Sequence, residues 1–259
     1  MKNKMKMSII GIAAAGFAIA SQAAVGAECQ RLVVTGHPSY APVSWAAGDS
    51  LQGGGIALAR RLAEDAGVPV TIINAGSWDA AQQAVASGKA DLIVGIYKTA
   101  AREKIFDYVK PEIAKDPSAV LVKAGGKLDY RSWDSLIGKK GLISDGESYG
   151  PKFDDFAKAR LTIEKVAGFP AVFDKLQAGA ADYGLMGYYP ALTSAPKDKV
   201  SIAVESFATE PMFIAFGKSS PCRDLARAFG KGVKAYTRDG TVGRLWKIGL
   251  IDYAKTGGR

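Results

Sequence analysis

The stretch that decides the fold is KADLIVGIYKTAAREKIFDYVKP, residues 89–111. After a polar turn, the apolar run from Leu92 to Val94 predicts a short buried strand. The chain breaks at Gly95 and restarts at Thr99, which suits a helix N-cap and precedes two alanines, both strong helix formers. We therefore expect a strand, a tight loop and a helix start with Arg102 in its first turn.

This arrangement suggests a ligand site. Open α/β sheets bind ligands where the carboxyl end of a strand leads into a helix. Free N–H groups at a helix start favour an anion, and an arginine there can hold a carboxylate through two charge-assisted hydrogen bonds. Arg102 is the candidate residue, and the alternative is an ordinary solvated helix side chain. Gly95, Tyr97 and Thr99 are candidates for backbone or hydroxyl contacts near the strand end.

Residues 1–27 are predicted to be a secretory signal peptide. Three lysines precede an apolar stretch from Ile9 to Ala20, and the small residues Val25 to Ala27 suit a cleavage site. The apolar stretch has about a dozen residues, fewer than the roughly 20 that a membrane-spanning helix needs. We therefore expect an exported protein.

Composition narrows the classes of function. The chain has 259 residues and a net charge of +9, but its basic residues are interspersed with acids, which argues against nucleic-acid binding. In an oxidising compartment Cys29 and Cys222 predict one disulfide, with two free buried thiols as the alternative. A single histidine, His37, leaves no clustered metal ligands. The glycines at 53–55 lack the Lys-Ser/Thr of a P-loop, so we expect neither a metal nor a cofactor.

Strand-like and helix-like segments alternate over the first part of the mature chain. Strands are predicted at residues 31–35, 70–73 and 92–94, and helices at residues 56–67, 78–87 and from 99 onward. Such alternation predicts an α/β fold with a mainly parallel sheet. Tyr40 and Trp45 follow the first strand, where aromatic rings either line a pocket or pack on the core.

Five motifs follow one another along the chain: Tyr40-Ala41-Pro42, a Gly-rich turn, Gly88-Lys89-Ala90-Asp91, Thr99-Ala100-Ala101-Arg102 and Phe106-Asp107-Tyr108. This order resembles the periplasmic solute-binding proteins of polar amino-acid ABC transporters, solute-binding family 3. The Gly/Asp and Thr/Arg part is the most specific, and the spacing matches over essentially the whole mature chain. The resemblance implies a two-lobed periplasmic-binding-protein type II fold, in which two α/β lobes are joined by two crossing strands and the ligand lies in the cleft.

The resemblance also implies the limits of the lobes. Lobe 1 would comprise residues 28–118 and, after the chain returns, residues 213–259, while lobe 2 would comprise residues 119–212. Crossing strands are expected at residues 119–122 and 212–218, a further strand at 200–204, and later helices at 169–179, 222–237 and 242–248. The returning helices would place Cys222 near Cys29, which supports the disulfide.

In lobe 2, residues 145–149 resemble the family's Gly-Thr/Ser-x turn at a helix start. A hydroxyl and free N–H groups there predict a second anion site, with Glu147, Ser148 and Tyr149 as candidate ligand-binding residues. An ordinary N-cap is the alternative for Ser148. Two such sites, one in each lobe, would close on one carboxylate together with Arg102.

Three positions depart from the family pattern. The acid that usually pairs with the ligand's α-ammonium is Gly187 here, the acid at the first helix start is replaced within the glycines 53–55, and Val43 replaces the usual Phe. A buried ammonium without a carboxylate or several acceptors costs roughly several kcal/mol. We therefore expect a ligand that carries a carboxylate but lacks the standard α-amino pairing. The alternative is that Glu147 or Glu112 supplies the missing charge.

The expected ligand is an organic or aromatic acid, or an atypical amino acid. Tyr40, Trp45, Tyr97 and Tyr188 are the expected packing surfaces. A monomeric protein would capture this ligand in the periplasm and deliver it to an inner-membrane ABC permease. The rival interpretation is an exported cyclohexadienyl dehydratase acting on prephenate or arogenate, with Glu147 as the acid, although no further catalytic set is evident. A third is a ligand-sensing protein.

Overall fold

The computed structural model describes residues 29–257, so the predicted signal peptide lies outside the described residues. The first half alternates strands and helices as expected. Its elements are β1 (Leu32–Gly36), β2 (Ser39–Tyr40), β3 (Ser44–Ala47), β4 (Ser50–Gln52), α1 (Gly54–Asp65), β5 (Val70–Ile72), α2 (Trp78–Ala86), β6 (Leu92–Tyr97), β7 (Phe106–Tyr108) and β8 (Ala114–Lys123).

The second half repeats the alternation and ends in helices. Its elements are β9 (Lys140–Ser144), α3 (Pro151–Arg160), β10 (Thr162–Val166), α4 (Gly168–Gln177), β11 (Tyr183–Gly187), α5 (Tyr188–Ser194), β12 (Val200–Gly217), α6 (Ala226–Arg238) and α7 (Thr241–Lys255). Short 3-10 turns occupy Arg102–Lys104, Trp133–Leu136 and Arg223–Leu225.

The main sheet has two parts, each with its own helices. The strand order is β10-β9-β11-β8-β12-β6-β1-β5, with β7 paired to β12. We call lobe 1 the part around β6, β1 and β5, where pairing is parallel, and lobe 2 the part around β10, β9 and β11. The predicted α/β class is confirmed, and the sheet is parallel within each lobe.

Strands β8 and β12 run antiparallel and join the two lobes. The start of β12 pairs with β8 beside lobe 2, and its end pairs with β6 and β7 in lobe 1. The sequence predicted two separate strands, at 200–204 and 212–218, but the structure joins them into one strand of 18 residues. The polar residues between the two apolar runs concealed this continuity, because they lie in an exposed or half-buried part of the crossing strand.

The stretch around Arg102 differs from its predicted form. β6 continues through Gly95, which takes a φ of +85° where the pairing with β12 shifts register, so the expected break is a bulge. The predicted helix from Thr99 is only the 3-10 turn Arg102–Lys104. The helix stays short because Phe106–Tyr108 pairs with β12 as strand β7, and this pairing outweighs the helix propensity of the alanines.

The C-terminal helices return to lobe 1 and explain several glycines. α7 continues past Gly249, the predicted helix end. The glycine is there for lack of space, since an added Cβ would lie 2.7 Å from the Pro42 carbonyl oxygen. Gly54 packs equally closely, since its Cβ would lie 2.7 Å from the Leu245 carbonyl oxygen. The predicted disulfide between Cys29 and Cys222 is confirmed and ties the start of the described chain to the region before α6. Among residues 29–257, no helix is both long and apolar enough to cross a bilayer.

Candidate functional site

A cavity lies between the two lobes, at the carboxyl ends of β1 and β6. In this closed arrangement its volume is about 10 Å³, which is room for about one water molecule. It is lined by His37, Tyr40, Trp78, Gly95, Tyr97, Arg102, Glu147 and Ser148. A wider groove continues outward from it past Gln82, Thr99 and Asp154. The first five lining residues and Arg102 come from lobe 1, and Glu147 and Ser148 come from lobe 2.

Arg102 is buried at the base of the cavity, with 8% of its surface exposed. Its Nε donates to Gln82 Oε1 at 2.9 Å and its Nη1 to the Tyr97 carbonyl at 3.1 Å, both in lobe 1. Its Nη2 donates to the Gly146 carbonyl of lobe 2 at 2.8 Å. These acceptors are uncharged. Burial lowers the pKa of the guanidinium, and the charge of Glu147 is the largest opposing influence.

His37 crosses the cavity between the lobes. Its ring lies 5.3 Å from the Trp78 ring of lobe 1 and 5.1 Å from the Phe169 ring of lobe 2. Its Nε2 lies 3.1 Å from Oε1 of Glu147, also in lobe 2. The sequence placed His37 in a turn and assigned it no role, because none of its partners across the cleft is near it in sequence.

A buried carboxylate, Asp116, lies behind two of the predicted aromatic residues. The hydroxyls of Tyr40 and Tyr97 donate to its Oδ2 at 2.6 and 2.7 Å. Burial raises the pKa of Asp116 to about 6, although both hydrogen bonds oppose the rise. Burial beside this acid also holds the pKa of both tyrosines well above the ordinary value. Its Oδ1 has no hydrogen-bond partner among the described residues. The sequence missed Asp116 because it precedes the predicted crossing strand, whereas β8 begins at Ala114.

In the turn before α3, two donors of the predicted second anion site are paired with a carboxylate of the chain itself. Helix α3 begins at Pro151, and the carboxylate of Asp154 in its first turn folds back onto the turn. Asp154 accepts hydrogen bonds from the Ser148 hydroxyl and, at 2.9 Å, from the Tyr149 backbone N–H. The chain's own carboxylate therefore already accepts from the hydroxyl and from one of the backbone N–H groups that the sequence assigned to a ligand.

Five other predicted ligand-binding residues lie outside the cavity lining. Trp45 packs edge-on against Tyr253. Tyr149 points into the core of lobe 2, where its hydroxyl donates to the Leu185 carbonyl at 2.6 Å. Tyr188 lies edge-on to Tyr189 in α5. These three aromatic rings therefore pack against other protein side chains. For Trp45, the alternative of packing on the core holds and not that of lining a pocket.

The remaining two support the cavity from outside. The Thr99 hydroxyl accepts from the Arg102 backbone N–H at 3.2 Å, as an N-cap would, and lies in the outer groove. Gly187 ends β11 directly against the Tyr40 hydroxyl. Glu112, the alternative source of charge, lies outside the cavity lining, at the start of the segment leading into β8.

Comparison with known proteins identifies the fold and the family. The model of the bacterial extracellular solute-binding proteins, family 3, matches residues 32–247. The chain belongs to this family. A search of curated proteins found no match.

Solved structures of substrate-binding and arginine-binding proteins share the two-lobed architecture. The substrate-binding protein AbpA from Streptococcus pneumoniae, bound to L-arginine, has a TM-score of 0.71 and 24% identity over 85% of this chain and 94% of its own. An ancestral arginine-binding protein bound to glutamine has a TM-score of 0.70 and 26% identity over 84% and 96%. A mutant of ArgBP from T. maritima has a TM-score of 0.70 and 18% identity over 83% and 93%.

Within this family 3 binding protein, Asp116 lies close to Gly187, the position at which the family resemblance led us to expect an acid. Ser118, two residues along β8 from Asp116 and on the same face of the strand, pairs with Gly187. The Tyr40 hydroxyl contacts both Gly187 and Asp116. The cleft thus has a buried carboxylate near the expected place, but on a different strand and behind two tyrosines.

Proposed function

We propose that this chain is the periplasmic solute-binding component of an ABC importer and that it captures a small carboxylate-bearing solute in the cleft between its lobes. The observation that carries the proposal is the buried guanidinium of Arg102 in the cavity wall. A buried charge is costly unless an opposite charge or several hydrogen bonds compensate it. Its hydrogen bonds go to the neutral acceptors Gln82, Tyr97 and Gly146, so an entering anion gains both charge pairing and the guanidinium's remaining N–H donors.

Two tyrosine hydroxyls in the cavity lining favour a hydrogen-bond donor on the solute. Tyr40 and Tyr97 both give their hydroxyl protons to Asp116, so their oxygens have only lone pairs left for a solute. The solute that suits both features is therefore a small acid with a hydroxyl or amino group. This class includes hydroxy acids and atypical amino acids, and it narrows the expected range of organic acids, aromatic acids and atypical amino acids.

The cavity is nearly filled by protein side chains in this closed arrangement. Its volume of about 10 Å³ is far below the roughly 300–1,000 Å³ that is usual for ligand pockets, so a solute enters only when the lobes separate. Both lobes contribute to the lining, so a solute held there favours the closed arrangement by contacting both. Delivery to an inner-membrane permease then follows from recognition of the closed form.

The enzyme alternative has less support. A dehydratase would use Glu147 as a proton donor near the leaving hydroxyl. Instead, Oε1 of Glu147 accepts a hydrogen bond from His37. The sensing alternative shares the same cleft, and uptake by vesicles containing the permease separates it from transport.

The test is thermal unfolding of refolded, solute-free protein with a panel of simple acids, hydroxy acids and α-amino acids. A solute at about 100 times its dissociation constant stabilises the fold by roughly 2.7 kcal/mol. We expect acids with a hydroxyl or amino group to raise the midpoint most, and the Arg102→Ala variant to lose the rise. Conversion of prephenate by the purified protein, or no stabilisation by any carboxylate, would reject the proposal.

A further inference from the structure

The imidazole of His37 occupies a slot with one wall from each lobe. Its ring is stacked on Trp78 with an interplanar angle of 28° and on Phe169 with an angle of 14°. Trp78 is the first residue of α2 in lobe 1, and Phe169 lies in the first turn of α4 in lobe 2. Both rings are buried, so the histidine fills a slot that exists only while the lobes are closed.

The hydrogen bonds of the ring define its tautomer. The backbone N–H of Ser39 donates to Nδ1 at 2.9 Å, so Nδ1 carries no proton. The proton of the neutral ring is therefore on Nε2, which donates to Glu147 at 3.1 Å. The side chains of His37 and Glu147 are 8% and 7% exposed. Both ring nitrogens are satisfied, one within lobe 1 and the other across the cleft.

A solute that entered this slot would make these same contacts. The slot offers two flat apolar walls and a carboxylate acceptor, which suit a planar group with an N–H donor. We propose that His37 is a built-in occupant of the solute cleft and determines its specificity, because it takes this position itself and leaves only the region beside Arg102 for a solute. This inference rests on the proposed solute-binding role.

Two consequences follow from this arrangement. The lobes close in the absence of solute, because His37 already supplies contacts to both of them. A solute that enters the slot must displace the imidazole, so its apparent affinity is reduced by the fraction of molecules in which the slot is free. If that fraction is one in ten, removal of the imidazole raises affinity about tenfold.

The first test compares the radius of gyration of solute-free proteins by small-angle X-ray scattering. We expect the His37→Ala variant to be larger than the wild type, and millimolar imidazole to return it to the wild-type value by refilling the slot. Imidazole should leave the wild type unchanged. The exposed Lys89→Ala variant is the control and should match the wild type. Equal radii for the wild type and His37→Ala, with no effect of imidazole, would overturn the proposal.

A second pair of variants serves if His37→Ala does not fold. Glu147→Ala removes the acceptor for Nε2 and should enlarge the solute-free protein, whereas Glu147→Gln keeps an acceptor oxygen and should not. Equal radii for these two variants and the wild type would count against His37 as a contact between the lobes.

The two proposals fail in different ways. If no acid stabilises the protein but His37→Ala opens and imidazole closes it, the solute-binding role fails and the intramolecular contact stands. If solutes bind the wild type and His37→Ala equally well and the radii agree, the role stands and the inference about His37 fails.

Discussion

The phenol oxygen of Tyr40 fills the space that a side chain at Gly187 would occupy. A Cβ added to Gly187 would lie 1.8 Å from this oxygen, far inside van der Waals contact. The backbone of Gly187 has a φ of −59°, which any residue can adopt, so lack of space and not conformation requires the glycine. The acid expected at this position from the family resemblance would have no room. Tyr40, which approaches from the other lobe and donates to Asp116, occupies that space.

The first prediction concerns this contact. Gly187→Ala should lower the free energy of unfolding by roughly 1–3 kcal/mol through overpacking, and much less in a Tyr40→Ala background. A double-mutant cycle by urea unfolding should give a coupling of about 0.5–3 kcal/mol. Gly243→Ala in α7 is the matched control, because an added Cβ meets nothing within 4 Å. Additive costs of the two changes would show that the cost of Gly187→Ala does not come from contact with Tyr40.

The second prediction concerns the pH dependence that Asp116 causes. Burial raises its folded-state pKa to about 6, above the roughly 3.9 of an unfolded chain. The folded state therefore holds a proton that the unfolded chain releases, so the contribution to stability is full below about pH 4 and is lost as pH rises through 6. The difference of about two units between the folded and unfolded pKa values of Asp116 corresponds to roughly 3 kcal/mol of stability.

Asp116→Asn removes this titration while keeping the size of the side chain. Between pH 4 and 7, the free energy of unfolding of the wild type should fall relative to that of the variant by up to about 3 kcal/mol. Urea unfolding of both proteins across this range measures the difference, in which titrations shared by both cancel. A difference that stays constant from pH 4 to 7 would show that Asp116 titrates normally.

The third prediction separates binding from stability at Arg102. Two of the carbonyls that accept from Arg102 also accept a hydrogen bond from another residue. Tyr108 donates to the Tyr97 carbonyl, and Gln82 donates to the Gly146 carbonyl. Arg102→Ala should therefore cost only roughly 1–3 kcal/mol of stability, since these carbonyls stay paired. The same variant should lose all stabilisation by a carboxylate solute.

Calorimetric titration and urea unfolding together test this separation. Arg131→Ala is the control, because the Arg131 side chain is 85% exposed in its pairing with Asp129. The control should keep the wild-type affinity and change stability by less than about 0.5 kcal/mol. Wild-type affinity in Arg102→Ala would place the carboxylate elsewhere.

The fourth prediction concerns the disulfide between Cys29 and Cys222. It closes a loop with a sequence separation of 193 residues and therefore restricts the unfolded chain strongly. Replacing both cysteines by serine should lower the free energy of unfolding by about 2–4 kcal/mol. The oxidised and reduced wild type, compared by urea unfolding, should show a difference of the same size and sign. Equal midpoints in the two redox states would contradict this expectation.

Local pattern was sufficient for much of the fold. Helix periodicity and short apolar runs predicted α1, α2, α4 and the parallel strands, because these elements obey their own propensities. Predictions failed where tertiary pairing overrode propensity: the residues after Arg102 joined the sheet, and Gly249 lies within α7 because a neighbouring backbone requires a small residue.

The sequence by itself determined the α/β alternation, the family, the cysteine pair and the candidacy of Arg102, because each depends on residue type and spacing along one segment. Only the tertiary structure decided which side chains meet in the cleft and which hydrogen bonds they make there. His37, Asp116 and Glu147 act through partners that are far away in the chain, such as Phe169 for His37 and Tyr40 for Asp116. Such contacts form only when β8 and β12 bring the two lobes together. They cannot be predicted from the pattern of residues within one segment.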